Sequence, residues 1–282
     1  MTPRPSLFKV SNGLATLGPD GAAILRLLER RIGLWAGEIG AQEFIYAPLQ
    51  RVENLSRIDY FLNFPHLGTL VAPIARDQLK ANYGNARELH SICCGHLADA
   101  EYALPSAACY SVYFDMEGTR LDKAVYVTTV QRCYRNEEAY TGLSRLWGFQ
   151  MRELVCVGGS EEVQAHLRNF RGKVQEFMAR LDLPVEVTVA SDPFFDRSSA
   201  RAAMQQVFPV KEEFVYGGSV AIASVNFHRN FFGEKCRITL PDGQPAFTSC
   251  VAFGLERWLH ALTDRYEGDA QRILGALEGA LA

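Results

Sequence analysis

The residues best equipped for chemistry sit in one stretch, 125–158, which reads as two β-strands joined by a polar, turn-like loop. In the first arm β-branched and aromatic residues alternate with polar ones. Val125, Val127, Thr129, Gln131, Cys133 and Arg135 therefore share a face, and Tyr126, Thr128, Val130, Arg132 and Tyr134 take the other. The same period in the second arm sets Phe149, Met151 and Glu153 opposite Gly148, Gln150 and Arg152. At about 3.3 Å per residue, Phe149 and Glu153 stand roughly 13 Å apart on one face, near the full length of an aminoacyl-adenylate. The Phe149 ring could hold a base while the Glu153 carboxylate marks an amino-acid end. Arg135, on the partner strand, carries a guanidinium that matches phosphate geometry bidentately. An ordinary hairpin with one exposed aromatic and scattered charge would show the same pattern, so this stretch alone leaves both readings open.

The elements that must position these residues follow the helix and strand periods along the chain. Residues 20–38 repeat apolar side chains at Ile24, Leu27, Leu28 and Ile32, a helical pattern with Asp20 as the expected N-cap, and Gly40 ends it before a short strand to Pro48. Residues 49–60 read as helix or loop, 61–74 as an apolar, turn-punctuated segment, and 82–100 as a helix with Cys93 and Cys94 in the core. Residues 111–114, Ser-Val-Tyr-Phe, read as a strand. A helix opens at Ser160, with Glu161 and Glu162 in its first turn, and runs to about residue 181. Beyond it come a strand at 184–190, a short helix within 191–210 bearing Arg197 and Arg201, strands at 212–216, 219–227 and 247–253, and a terminal helix from Leu255. Antiparallel strands with interspersed helices, rather than βαβ units, make the fold class α+β. No repeat or linker divides residues 1–282, so the expectation is a single domain with no separate module for nucleic acid.

Composition narrows the function classes. With 282 residues, 48% hydrophobic and 22% charged, the chain can bury a large core and is neither disordered nor fibrous. It contains no run of eighteen apolar residues, and its first residues lack the apolar stretch of a signal peptide; the expectation is a cytoplasmic protein with no membrane partner. Seven cysteines, an odd number without a CxxC pair, argue against a disulfide framework and read mostly as buried thiols, Cys133 among them. A net charge of −3 without a basic run weighs against tRNA as a partner, because phosphate neutralisation supplies most of such affinity.

Arg135-Asn136-Glu137, a loop, then Phe149-Gln150-Met151-Arg152-Glu153 resembles motif 2 of class II aminoacyl-tRNA synthetases. Gly254-Leu255-Glu256-Arg257 resembles their motif 3, and the run from Gly40 to Pro48 their motif 1, in the family's order. Leu104-Pro105-Ser106-Ala107-Ala108-Cys109, Ser191-Asp192-Pro193-Phe194-Phe195 and Ser224-Val225-Asn226-Phe227-His228 further resemble the amino acid:carrier-protein ligases, truncated relatives of the methanogen-type seryl-tRNA synthetases.

The resemblance implies an antiparallel sheet flanked by helices and a homodimer built on the motif 1 helix and strand. It implies one Zn²⁺ per subunit on Cys109, Glu153 and Cys250: two thiolates and a carboxylate leave a fourth tetrahedral position open for a substrate's α-amino group. It places Arg135 on the α-phosphate of ATP, Phe149 on adenine with Arg257 beside it or at the γ-phosphate, and Glu137 at the adenine edge. Glu153, Ser224, Asn226 and His228 would surround the amino acid, with His228 equally able to serve as a hydrogen-bonded strand residue. Mg²⁺ would accompany ATP, but Ala221 stands where seryl enzymes carry a metal-binding glutamate. The implied reaction activates a small amino acid, glycine or alanine, and transfers it to a phosphopantetheinylated acyl carrier protein without tRNA. The alternatives are a tRNA-charging seryl enzyme and a catalytically silent regulator. An acidic carrier would need a basic docking patch, expected at Arg197, Arg201 and Lys211, with the two arginines i, i+4 on one helical face.

Overall fold

In the computed structural model, which describes residues 7–83 and 88–281, the 125–158 stretch is indeed a long hairpin at the centre of a nine-stranded sheet. In chain order, β1 (Phe8–Ser11) and β2 (Leu14–Leu17) precede α1 (Pro19–Glu38) and β3 (Gln42–Phe44). The short β4 (Gln50–Arg51), α2 (Val52–Arg57), α3 (Tyr60–Asn63), β5 (Leu70–Val71), α4 (Arg76–Gln78) and β6 (Tyr102–Ala103) follow, with β4, β6 and β5 forming a small second sheet. Next come α5 (Cys109–Asp115), β7 (Val125–Tyr134), β8 (Gly148–Gly158), α6 (Ser160–Arg180), β9 (Val185–Ala190) and α7 (Ala200–Val207). The chain closes with β10 (Lys211–Tyr216), β11 (Val220–Arg229), α8 (Phe231–Lys235), β12 (Phe247–Gly254), α9 (Leu255–Arg265) and α10 (Ala270–Leu281). Strands β7, β8, β12, β11, β10 and β9 pair antiparallel in that order; β3 runs parallel along β7, and β2 meets β8 at Leu14 and Gly148.

Alternation along β8 assigns each residue a face. Leu154 enters a core with Ile24, Leu28 and Trp35 of α1, Phe170 and Phe177 of α6, and Trp258 of α9. Trp35 meets Phe177 edge to face at 5.5 Å between centroids. Truncating a fully buried ring such as Phe170 would cost about 3–5 kcal/mol. Val155 and Val157 point the other way, into a second core with Val112 and Tyr113 of α5 and Phe232 of α8. Arg152, buried on the helix side, donates to Thr128 Oγ1 at 3.1 Å and pairs with Glu29 of α1 (3.3 Å) and Glu43 of β3 (2.9 Å). One guanidinium thus ties the motif 1 helix and strand to the hairpin.

Four local expectations give way. Gly18, not Asp20, occupies the N-cap of α1, because Pro19 is already its first helical residue. Residues 109–115 are helix rather than strand: Cys109, Val112 and Tyr113 form an i, i+3, i+4 stripe that the second core buries, and this outweighs the strand preference of Val and Tyr. The 82–100 segment, of which 84–87 lie outside the described residues, holds only irregular backbone and short turns, and Cys93 and Cys94 are exposed rather than core. Its apolar residues are scattered among polar ones and offer no continuous apolar face. Arg197 lies in the turn before α7, so it does not share a helical face with Arg201. Among the described residues, no helix is long and apolar enough to cross a membrane.

His166 of α6 is buried, with Nδ1 and Ser249 Oγ sharing a hydrogen bond of 3.0 Å, and burial pulls its pKa down to about 4. A folded value below the ordinary 6.5 means that the stability it contributes is complete above pH 6.5 and is lost as pH falls towards 4. Urea unfolding should therefore show a loss on the order of 3 kcal/mol from this group between pH 7 and pH 4. A His166→Gln variant should show a shallower acid-side slope; an unchanged slope would contradict the assignment.

Candidate active site

The inner face of β8 forms the floor of a cleft of about 410 Å³, with Phe149 towards one end and Glu153 towards the other. At the Glu153 end, three elements converge. Glu153 from β8, Cys250 from β12 and Cys109 from the first turn of α5 bring three donor atoms within 4.8 Å of one another, and all three residues are buried. Glu153 Oε1 accepts hydrogen bonds from the backbone N–H groups of Ala108 (2.9 Å) and Cys109 (3.3 Å) at the start of α5. Its Oε2 is buried with no hydrogen-bond partner.

The thiols are held protonated when no cation is present. Cys109 is raised well above its ordinary value by its hydrogen bond to Cys250, by burial and by Glu153. The bond from Cys109 favours the Cys250 thiolate, yet burial and Glu153 outweigh it and push Cys250 up to about 11. An unpartnered buried carboxylate oxygen beside two such thiols fits a divalent metal ion, whose charge would offset the desolvation of all three ligands.

The other end is cationic and aromatic. The Arg135 guanidinium lies 5.2 Å from the Phe149 ring centroid, and its Nε donates to Ser106 O at 3.1 Å. Arg257, in the first turn of α9, donates to Ser144 O (2.9 Å) and Ala221 O (3.1 Å). Burial, then the neighbouring Arg135 charge, lowers its pKa from the usual arginine value. Among the described residues neither arginine forms an ion pair. Glu137 sits by Phe149 and Arg257 but is paired with Arg145 at 3.2 Å. The hairpin loop that carries these groups is pinned by Leu143 and Leu146, both buried in the main core.

Ser224, Asn226 and His228 alternate along β11 and line the cleft wall. Several cleft residues escaped the sequence reading. Glu213 stands opposite Ser224 on β10, and Tyr60 and Tyr110 also line the cleft. Asp192 is partly exposed; the protein around it works to raise its carboxyl, but Lys211 at 3.6 Å and the Gln205 amide outweigh this and hold it below its ordinary value. Arg201 and Lys211 are cleft residues too, not an outer patch: Arg201 stacks on Phe231 at 3.8 Å and Lys211 pairs with Glu213 at 2.8 Å. Of the expected docking trio only Arg197 is exposed on the outside. Strand alternation was the available signal for Lys211 and Glu213, which stand opposite Asn226 and Ser224.

Residues 99–266 match the family described as the class II tRNA synthetase core domain (G, H, P, S and T). The chain is 30% identical over 267 residues to amino acid–acyl-carrier-protein ligase 1 of Bradyrhizobium diazoefficiens, covering 86% of this chain and 79% of that one. Ligase 2 of the same organism is 29% identical over 230 residues, covering 75% and 66%. The type-2 serine–tRNA ligase of Methanocaldococcus jannaschii is 26% identical, and this chain spans 52% of its length. Among solved structures, a Methanopyrus kandleri seryl-tRNA synthetase in complex with an Aquifex aeolicus tRNA superimposes with a TM-score of 0.79 at 20% identity, over 96% of this chain and 58% of that one. A Naegleria fowleri cytoplasmic serine–tRNA ligase bound to AMP superimposes with a TM-score of 0.70 at 11% identity, over 94% and 55%.

The donor geometry predicts that purified protein retains about one divalent metal ion per chain, removable by a strong chelator. Cys109→Ala should abolish retention and leave the fold intact, as read by elemental analysis alongside circular dichroism. Full metal content in Cys109→Ala would rule the site out.

Proposed function

Because the chain belongs to the amino acid–acyl-carrier-protein ligase group within the class II tRNA synthetase core-domain family, we propose that it activates a small amino acid with ATP and transfers it to a phosphopantetheine thiol on a carrier protein. The observation that carries this reading is one cleft with unpaired guanidiniums and an aromatic ring at one end and an amine-accepting donor set at the other. In the first step a carboxylate oxygen of the amino acid attacks the α-phosphorus of ATP and pyrophosphate departs. In the second, the pantetheine thiol attacks the carbonyl of the adenylate and AMP departs.

The protein's share is position and charge neutralisation. Arg135 turns from the Phe149 ring to the α-phosphate, freeing the ring face for adenine. Arg257 meets the other side of the base or the γ-phosphate, and Glu137 contacts the base edge. Glu213 and Ser224, opposed across β10 and β11, are the groups we assign to the magnesium that accompanies ATP, in place of the carboxylate missing at Ala221. Cys109, Glu153 and Cys250 would hold a zinc ion, which supplies a fourth coordination position for a neutral α-amino group and so selects amino acids over simple carboxylic acids. Ser224, Asn226 and His228 line the β11 side of the cleft, and glycine or alanine is the class of substrate we assign.

We further read the chain as a single catalytic unit acting as a homodimer through α1 and β3, where Phe44 and Ile45 are exposed. The carrier's docking surface is assigned to the segment between β9 and β10, where Arg197, Phe195, Val207 and Phe208 are exposed. The likeness to type-2 serine–tRNA ligases favours one competing reading, a tRNA-charging enzyme.

Amino-acid-dependent pyrophosphate exchange should be highest with glycine or alanine. Replacing Arg135 or Arg257 by alanine removes a charge-assisted phosphate contact of roughly 2–4 kcal/mol, so exchange should fall by about 30- to 900-fold without loss of fold. Near-normal exchange in both variants would refute the assignment of the two arginines to ATP, and absence of exchange in the wild-type protein would favour a silent regulator. For the acceptor, purified protein should aminoacylate a holo carrier protein and leave tRNA unmodified, and Arg197→Glu should slow transfer at low salt while sparing adenylate formation. Charging of tRNA with no product on the carrier would replace the ligase reading by the synthetase one.

A further inference from the structure

Two polar side chains of β11 that line the cleft also reach the Cys250 sulfur. His228 Nδ1 lies 3.2 Å from both Tyr113 Oη and Thr248 Oγ1, hydroxyls that can each donate to it, while Nε2 faces Cys250 Sγ at 3.7 Å. With Nδ1 accepting, the ring proton sits on Nε2, directed at the sulfur. The imidazole is clamped edge to face by Phe232 at 5.0 Å and by Tyr113 at 5.9 Å, so its orientation is set by packing. Asn226 Nδ2 donates to the same sulfur at 3.4 Å, and lies within reach of Ser224 Oγ at 3.0 Å and Cys250 O at 3.4 Å. Both nitrogens of His228 are engaged by protein atoms, which leaves none for the substrate.

Resting on the metal reading above, we infer that His228 and Asn226 are positioning residues that act through Cys250: their N–H groups fix the sulfur's direction and temper its electron donation to a bound metal ion. Hydrogen bonds to a metal thiolate draw density from the sulfur, and the fourth position then attracts an amine more strongly. Among the described residues, no side-chain N–H donates to the Cys109 sulfur, so the two thiol ligands are electronically unequal. This moves both residues from substrate contacts to supports of a ligand.

Cobalt(II) is the probe, added to metal-stripped protein. Its thiolate-to-metal charge-transfer absorption reports electron donation by sulfur, and competition with a chelator reports affinity, both independent of catalysis. Wild-type protein should bind one Co²⁺. His228→Phe should bind it about 10–100-fold more weakly and shift the band to lower energy, as an unsupported thiolate gives up charge more readily. His228→Gln, whose amide N–H can reach the sulfur, should recover part of both. Wild-type affinity and an unshifted band in His228→Phe would overturn the inference. If His228→Phe does not fold, Asn226→Leu decides by the same two readouts, a shifted band supporting the inference and wild-type behaviour overturning it. Failure of folded wild-type protein to bind Co²⁺ would instead sink the metal reading itself, and this inference with it.

Discussion

The cleft depends on how one buried carboxylate is accommodated. A polar group taken out of water without partners costs several kcal/mol, and Glu153 is only 1% exposed. Its Oε1 is satisfied by two successive backbone N–H groups, an arrangement found where a helix begins and its first amides have no partner within the helix. That requirement places the start of α5 against the middle of β8 and so brings Cys109 beside the carboxylate. The second oxygen is left for whatever else enters, and the two thiols define what that can be.

Strand alternation then makes the site and the scaffold two sides of one element. Arg152 reaches Glu29 and Glu43, while its neighbour Glu153 reaches α5. Leu154 enters one core and Val155 the other. A shift of one residue in the β8 register would exchange all four environments at once, so the register is strongly specified and the spacing of Phe149 and Glu153 is held with it.

At the far end the charge is unbalanced by construction. Arg135 and Arg257 are oriented by backbone carbonyls of Ser106, Ser144 and Ala221 rather than by carboxylates. Carbonyls fix direction without neutralising charge, so two guanidiniums remain close enough for one to depress the other's pKa. A polyanion entering there relieves that repulsion, which is the electrostatic basis for assigning this end to the phosphates of ATP.

The sequence by itself determined the parts whose cause is local. Period-two alternation in 125–134 and 148–158 specified the hairpin and placed Phe149, Met151 and Glu153 on one face, because neighbouring side chains of a strand must point opposite ways. The resemblance of short motifs supplied Cys109 and Cys250, which no periodicity could have joined to Glu153. Tertiary structure decided what depends on burial by distant elements. Residues 109–115 carry a strand-like composition, yet they are helix because the second core buries their apolar stripe. Arg201 and Lys211 read as a basic patch near the mouth of the site, and it is the sheet that sets Lys211 opposite Asn226 and the packing of α7 that sets Arg201 on Phe231, so that both line the cleft. His228 read as either a substrate contact or a hydrogen-bonded strand residue, and its nitrogens meet Tyr113, Thr248 and Cys250, residues 20 or more positions away that only the packed sheet brings within reach.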